Sequence, residues 1–199
     1  MLDPHAQFLA ALAEAGFPVS SVAAIRDQYD PLPSGLAELL LEWIPRLEDR
    51  RLQESVVWAL LAARKGTLDG AKLSELFDSA TNDDLKRAIA SVIHQTRPRN
   101  IDEWLIAAVR DRRSGASRNL LAAAVAKMLS PERLVSVLIE VFHDAPLAAV
   151  HPLGKVGDSA VLDVLAAALP TATGLLRREL RQAIARIERR LAKARQKGR

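Results

Sequence analysis

The sequence predicts an all-α chain, an α-solenoid of about five helix pairs behind a short N-terminal helical cap. Three observations lead there. The 199 residues are 49% hydrophobic but only 4% aromatic, and the apolar share is mostly Ala, Leu, Val and Ile. That mix suits close-packed helices better than a β-sandwich. Apolar residues recur at helical spacing along most of the chain, and no alternating segment of strand length stands out. Finally, one column pattern returns five times, at spacings of 33, 32, 28 and 31 residues.

Taken in order, residues 1–34 read as one or two short capping helices. Phe8, Leu9, Leu12 and Phe17, then Val22, Ile25 and Tyr29, would cover the first repeat. Leu36, Leu39, Leu40, Trp43, Ile44 and Leu47 follow i, i+3, i+4, i+7, i+8 spacing and predict an amphipathic helix. Leu134, Val137, Leu138 and Val141 predict another. Ser130 and Pro131 are its N-cap and first residue, with Glu132 and Arg133 in the first turn. Breakers fall between the predicted helices, at Asp30-Pro31-Leu32-Pro33, Lys65-Gly66, Arg97-Pro98, Ser114-Gly115, Ala145-Pro146, Gly157-Asp158 and Pro170.

The repeat is anchored near the end of each second helix, at Ala59, Val92, Ala124, Pro152 and Ala183. One residue later stand Leu60, Ile93, Val125, Leu153 and Ile184, and two later the mostly small Leu61, His94, Ala126, Gly154 and Ala185. Six earlier stand Gln53, Lys86, Arg118, Pro146 and Arg177. Each copy follows another helical stretch, so the unit is a helix pair of about 30 residues.

At these columns the chain resembles the HEAT-repeat family, in particular the short HEAT-like repeats of the bilin-lyase type. The run from Leu153-Gly154-Lys155-Val156 through Gly157-Asp158 to Val161, Leu162, Val164 and Leu165 looks like the family's small-residue helix end, Gly-Asp turn and following helix. Leu180-Arg181-Gln182-Ala183-Ile184-Ala185-Arg186-Ile187 is a second match. The resemblance implies a HEAT-like repeat array over residues 35–195, with 1–34 as cap and 196–199 as a basic end. Pro152 stands where the family usually has Ala, which predicts a bend or a shortened helix. The fold hosts many roles, so the resemblance says little about activity.

Charge is unevenly placed. From Arg177 to Arg199 there are ten basic residues against Glu179 and Glu188, whereas residues 1–176 carry a net −4. A basic end of this kind holds nucleic acid through phosphate contacts, or is a solvated last helix whose cations suit the negative end of its dipole.

On a wheel of 100° per residue, positions −7, −3, 0, +1 and +4 from each anchor share one arc and are mainly aliphatic. That arc packs inward. Positions −5, −1 and +3 form a stripe away from it, matching the concave surface that second helices line in HEAT arrays. The triplets are Glu54, Trp58, Ala62; Arg87, Ser91, Gln95; Asn119, Ala123, Lys127; Leu147, His151, Lys155; and Arg178, Gln182, Arg186. Five cations face one acid, in a body that is otherwise acidic. Such a face receives an acidic protein segment or a phosphate backbone, or is simply a charged, solvated surface. Trp58 is a stacking or hot-spot residue, or is packed against its neighbour. The column Gln53, Lys86, Arg118, Arg177 is a ligand ladder, or ties neighbouring repeats to an Asp as in HEAT proteins.

Signs of chemistry are sparse. There is no cysteine, which excludes disulfides, thiol catalysis and Cys-ligated zinc. Glu140 and His143 have the spacing that puts two ligands on one helix face, but the second such pair a di-iron site needs is missing. No Gly-x-Ser-x-Gly motif or glycine-rich phosphate loop is present. The HEAT-like alkylpurine DNA glycosylases use a basic groove with Trp and Asp, and no matching set maps onto Trp58 or Trp104. The sequence thus points to no catalytic residue, metal or cofactor.

No apolar run reaches 18 residues, and the start Met1-Leu2-Asp3-Pro4-His5 lacks the basic residues of a signal peptide. The expectation is a soluble cytoplasmic protein, a non-catalytic scaffold. Its partner-binding residues would be Trp58, Arg87, Gln95, Asn119, Lys127, His151, Lys155, Arg178, Gln182 and Arg186, taking an acidic protein segment. The alternative is nucleic-acid binding through the same face and the C-terminal helix, with a glycosylase-type enzyme third.

Overall fold

The computed structural model describes residues 3–197, the side chains of 131, 132 and 197 excepted. Met1, Leu2, Gly198 and Arg199, and the side chains of Pro131, Glu132 and Lys197, lie outside the described residues. Among those described, the chain is all-α. Its twelve helices are α1 (Pro4–Glu14), α2 (Val22–Gln28), α3 (Ser34–Trp43), α4 (Arg50–Ala59), α5 (Gly70–Ser79), α6 (Asp83–Thr96), α7 (Asp102–Arg110), α8 (Arg118–Met128), α9 (Pro131–Asp144), α10 (Pro146–Val156), α11 (Ser159–Ala168) and α12 (Gly174–Lys197). The predicted breakers fall in gaps between them, except that Pro146 is the first residue of α10. The chain forms two compact units, Met1–Trp104 with Gly115–Ser117, and Leu105–Ser114 with Arg118–Arg199.

In the first unit α1 packs on α3, and α4 packs on α2 and α6. Phe8 and Leu12 of α1 and Val22 and Ile25 of α2 are buried, so the two short helices cover the apolar sides of α3 and α4. Phe8 meets Trp43 edge to face, with ring centroids 5.7 Å apart. The helix predicted over Leu36 to Leu47 ends sooner. Pro45 has no N–H to give the carbonyl of Leu41, and residues Ile44–Arg46 tighten into a 3-10 turn. Side-chain caps mark two further helix starts, one of them after a gap, residues 80–82, that carries no Gly or Pro. Asp49 accepts from the backbone N–H groups of Arg51 and Leu52, and Asn82 from that of Leu85.

In the second unit α10 packs against α8, α9 and α12, and α11 packs against α12. Asp158 caps α11 by accepting from the N–H of Val161. The predicted cap of α9 is only half right: Ser130 is the N-cap residue, but its hydroxyl makes no capping hydrogen bond. Pro152 neither ends nor shortens its helix. α10 runs through it to Val156, and the carbonyl of Ala148 simply lacks its usual i+4 donor. Two residues on, Gly154 lets α12 come close. A Cβ there would stand 2.8 Å from the Cβ of Ala183.

The wheel assigned from sequence matches the burial. Of the inward positions −7, −3, 0, +1 and +4 about the anchors in α4, α6, α8, α10 and α12, none is exposed, and most are buried.

Candidate functional site

The stripe stands where the wheel puts it. Of its fifteen residues only Ser91 is buried, its hydroxyl turned back onto the carbonyl of Arg87. Trp58, Arg87, Gln95, Asn119, Lys127, His151, Lys155, Arg178 and Gln182 are exposed, and Arg186 is half-buried. Trp58, Arg87 and Gln95 belong to the first unit and the other seven to the second.

In the second unit, His151 and Lys155 sit one turn apart on α10, and Arg186 faces them from α12. His151 reads the resulting field. Its pKa lies below the usual imidazole value, first through partial loss of solvent and then through the charges of Lys155 and Arg186, opposed by Glu179. Glu179 is an acidic neighbour that the stripe pattern missed. Arg178 is paired with it, 3.1 Å away, and in the first unit Arg87 is paired with Asp84 at 3.3 Å. Both arginines are solvent-exposed, Glu179 being half-buried, and pairs at such a surface are worth ~0–1 kcal/mol, so an incoming carboxylate can displace them.

Three residues of the column six before each anchor make structural contacts, whereas Arg177 is exposed. The guanidinium of Arg118 is buried, donates to the carbonyl of Val109, and makes a 2.8 Å salt bridge to Asp144 at the end of α9. Gln53 donates to the carbonyls of Ile44 and Leu47, and the Lys86 ammonium lies 5.5 Å from the centre of the Phe77 ring. These residues tie helices together, as the Asp-tie reading requires for Arg118. The hydrogen bond from Arg118 holds the Asp144 carboxyl below the usual range, helped by Arg112.

The basic C-terminal helix is also partly committed. Arg190 reaches back to the end of α10 and donates to the carbonyls of Lys155, at 2.6 Å, and of Gly154 and Gly157. These are the carbonyls a helix end leaves without N–H partners. No sequence signal announces this contact, because donor and acceptors lie more than thirty residues apart. Arg177, Arg181, Arg189, Lys193 and Arg195 are exposed.

Elsewhere, Glu140 is held by Arg110 at 2.6 Å, and no group of three or more His, Asp or Glu among the described residues is placed to hold a metal. The Trp104 indole donates to Asp78 and packs edge-on against Phe77. A cleft of about 290 Å³ in the first unit is lined by Glu38, Asp69, Lys72, Arg99 and Asn100 among others. It is mainly polar, whereas small-molecule sites are mostly apolar and start at about 300 Å³. No helix of the described residues is long and apolar enough to cross a membrane.

Searches for similar proteins, by family model, among curated proteins and among solved structures, give no match to this chain.

Proposed function

We propose that the chain is a HEAT-like repeat protein, capped by residues 1–34 and repeating over 35–195, that binds an acidic segment of a protein partner on the stripe of its second helices. The observation that carries this reading is the cationic face of α10 and α12. Lys155 and Arg186 stand near His151 and, after partial burial, add to the lowering of its pKa; among the described residues neither has a salt bridge. Like charges held together on a rigid surface repel one another, and an anionic ligand relieves the repulsion. Packed helices keep the groups in register. Lys127, Lys155, Arg178 and Arg186 supply charge-assisted hydrogen bonds to carboxylates, with His151, Asn119 and Gln182 as further polar contacts. In the first unit Arg87, Gln95 and Trp58 play the corresponding parts.

The test is charge reversal. Changing Lys127→Glu together with Lys155→Glu leaves the exposed surface free to fold and abolishes partner capture. Capture that survives the change contradicts the reading.

A second reading has its own observation. The exposed face of α12 carries Arg177, Arg181, Arg189, Lys193 and Arg195 against Glu188, a charge pattern suited to a phosphate backbone. It predicts binding to nucleic acid that weakens steeply with salt and is largely lost on deleting residues 189–199.

A further inference from the structure

We infer that the segment bound by the second unit carries an apolar anchor beside its acids, and that Leu147 and Leu175 receive the anchor. The inference rests on the stripe being a binding face. Three large hydrophobic side chains are exposed among the described residues: Trp58 at 38%, Leu147 at 46% and Leu175 at 51%. A single exposed Leu calls for no explanation. What calls for one is where these three stand. Trp58 and Leu147 are stripe positions of α4 and α10. Leu175 precedes Arg178 by three residues, Gln182 by seven and Arg186 by eleven, the spacing of one face of α12. In the second unit the two exposed leucines thus fall on the helix faces that carry the cations.

Within the second unit the two leucines belong together. Gly154 meets Ala183, and Arg190 reaches the carbonyls of Gly154, Lys155 and Gly157, so residue numbers rise in step along α10 and α12 and the helices run parallel. Leu147 lies seven residues before Gly154 and Leu175 eight before Ala183, which puts both at the same end. From Leu147 to Lys155 the rise is about 12 Å, and from Leu175 to Arg186 about 16 Å. The surface therefore has two aliphatic side chains at one end, where the nearby Arg178 is paired with Glu179, and Lys155 and Arg186 at the other.

That gradation selects the occupant. An extended peptide advances about 3.3 Å per residue, so an apolar side chain on the leucines and a carboxylate at Lys155 or Arg186 are about four or five residues apart. The fitting partner is an acidic protein segment with an aliphatic or aromatic residue at that distance from its acids. A polyanion without apolar groups uses the cations and leaves the leucines bare.

The test compares two labelled probes of matched length on the full chain by fluorescence anisotropy: poly-L-glutamate, and a glutamate-rich copolymer with tyrosine. The copolymer is expected to bind about tenfold more tightly, the gain from covering two half-exposed leucines. Substituting Leu147→Ser with Leu175→Ser removes that advantage and leaves poly-L-glutamate binding unchanged. Lys155→Glu with Arg186→Glu removes both. Circular dichroism checks that each variant is folded. Equal binding of the two polymers, or an advantage that survives the leucine substitutions, overturns the anchor while the charge reading stands. Failure of both polymers to bind overturns the charge reading and the anchor with it.

Discussion

Arg118, Gly154 and His151 show three different uses of a single position. Arg118 is a buried cation satisfied on both sides, by a backbone carbonyl and by Asp144. Replacing it, as in Arg118→Met, leaves both acceptors without their donor, and the variant is expected to unfold at lower urea. The deficit depends on pH with a definite sign. Asp144 titrates below its unfolded value in the native state, so its share of stability is present above about pH 4 and is lost as the pH falls through the depressed native pKa. The gap between wild type and Arg118→Met should therefore close on acidification, and a gap constant from pH 6 to pH 3 would contradict the assignment. Gly154 is there for proximity. Gly154→Ala forces α10 and α12 apart and should cost ~1–3 kcal/mol in equilibrium unfolding. For His151 the consequence lies in binding. Its native pKa is depressed by partial burial and then by Lys155 and Arg186, and a bound carboxylate raises it again. Binding then takes up a proton, so affinity for an acidic partner rises as the pH falls from the ordinary imidazole value, about 6.5, toward the depressed native one. A His151→Gln variant should show a flat profile over that range.

At the scale of the element, much was legible because it is local. Helix periodicity, Gly and Pro breaks and the inward arc of the second helices follow from residues a turn or two apart, and these assignments match the burial. The missed features are nonlocal or chemically ambiguous. The gap before α4 depends on Pro45, which in the sequence sits inside an unbroken apolar period. Pro152 looked like a helix disruptor, yet α10 continues through it, packed on α8, α9 and α12. Ser91 belongs to the stripe by angle but is buried by its neighbours. Leu175 escaped notice because it lies a turn before the triplet of its helix. Arg190 reads as one more tail cation, yet it closes the end of α10. An Arg190→Ala substitution should speed amide exchange in the last turn of α10 while leaving that of α4 and α6 unchanged. Uniform acceleration along the whole chain would mean that the contact has no local capping role.

At the scale of the molecule, the balance between the two anionic partners turns on which cations remain available. Arg118 and Arg190 serve the fold, and Arg178 and Arg87 have acidic neighbours. What remains on the second unit divides into the stripe, with Lys155 and Arg186 two to three turns along from the exposed leucines, and the outer side of α12, which is charged but carries no large exposed apolar group past Leu175. The stripe suits a protein segment, and the outer side suits a phosphate chain.

The most direct measurement of the central claim is capture from native lysate by the tagged wild-type chain and by its Lys127→Glu, Lys155→Glu variant, each after nuclease treatment and read by mass spectrometry. The account predicts a protein, rich in acidic segments, that the wild type retains without nucleic acid and the variant loses. Retention of the same protein by both, or loss of all bound proteins on nuclease treatment of the wild type, would contradict it.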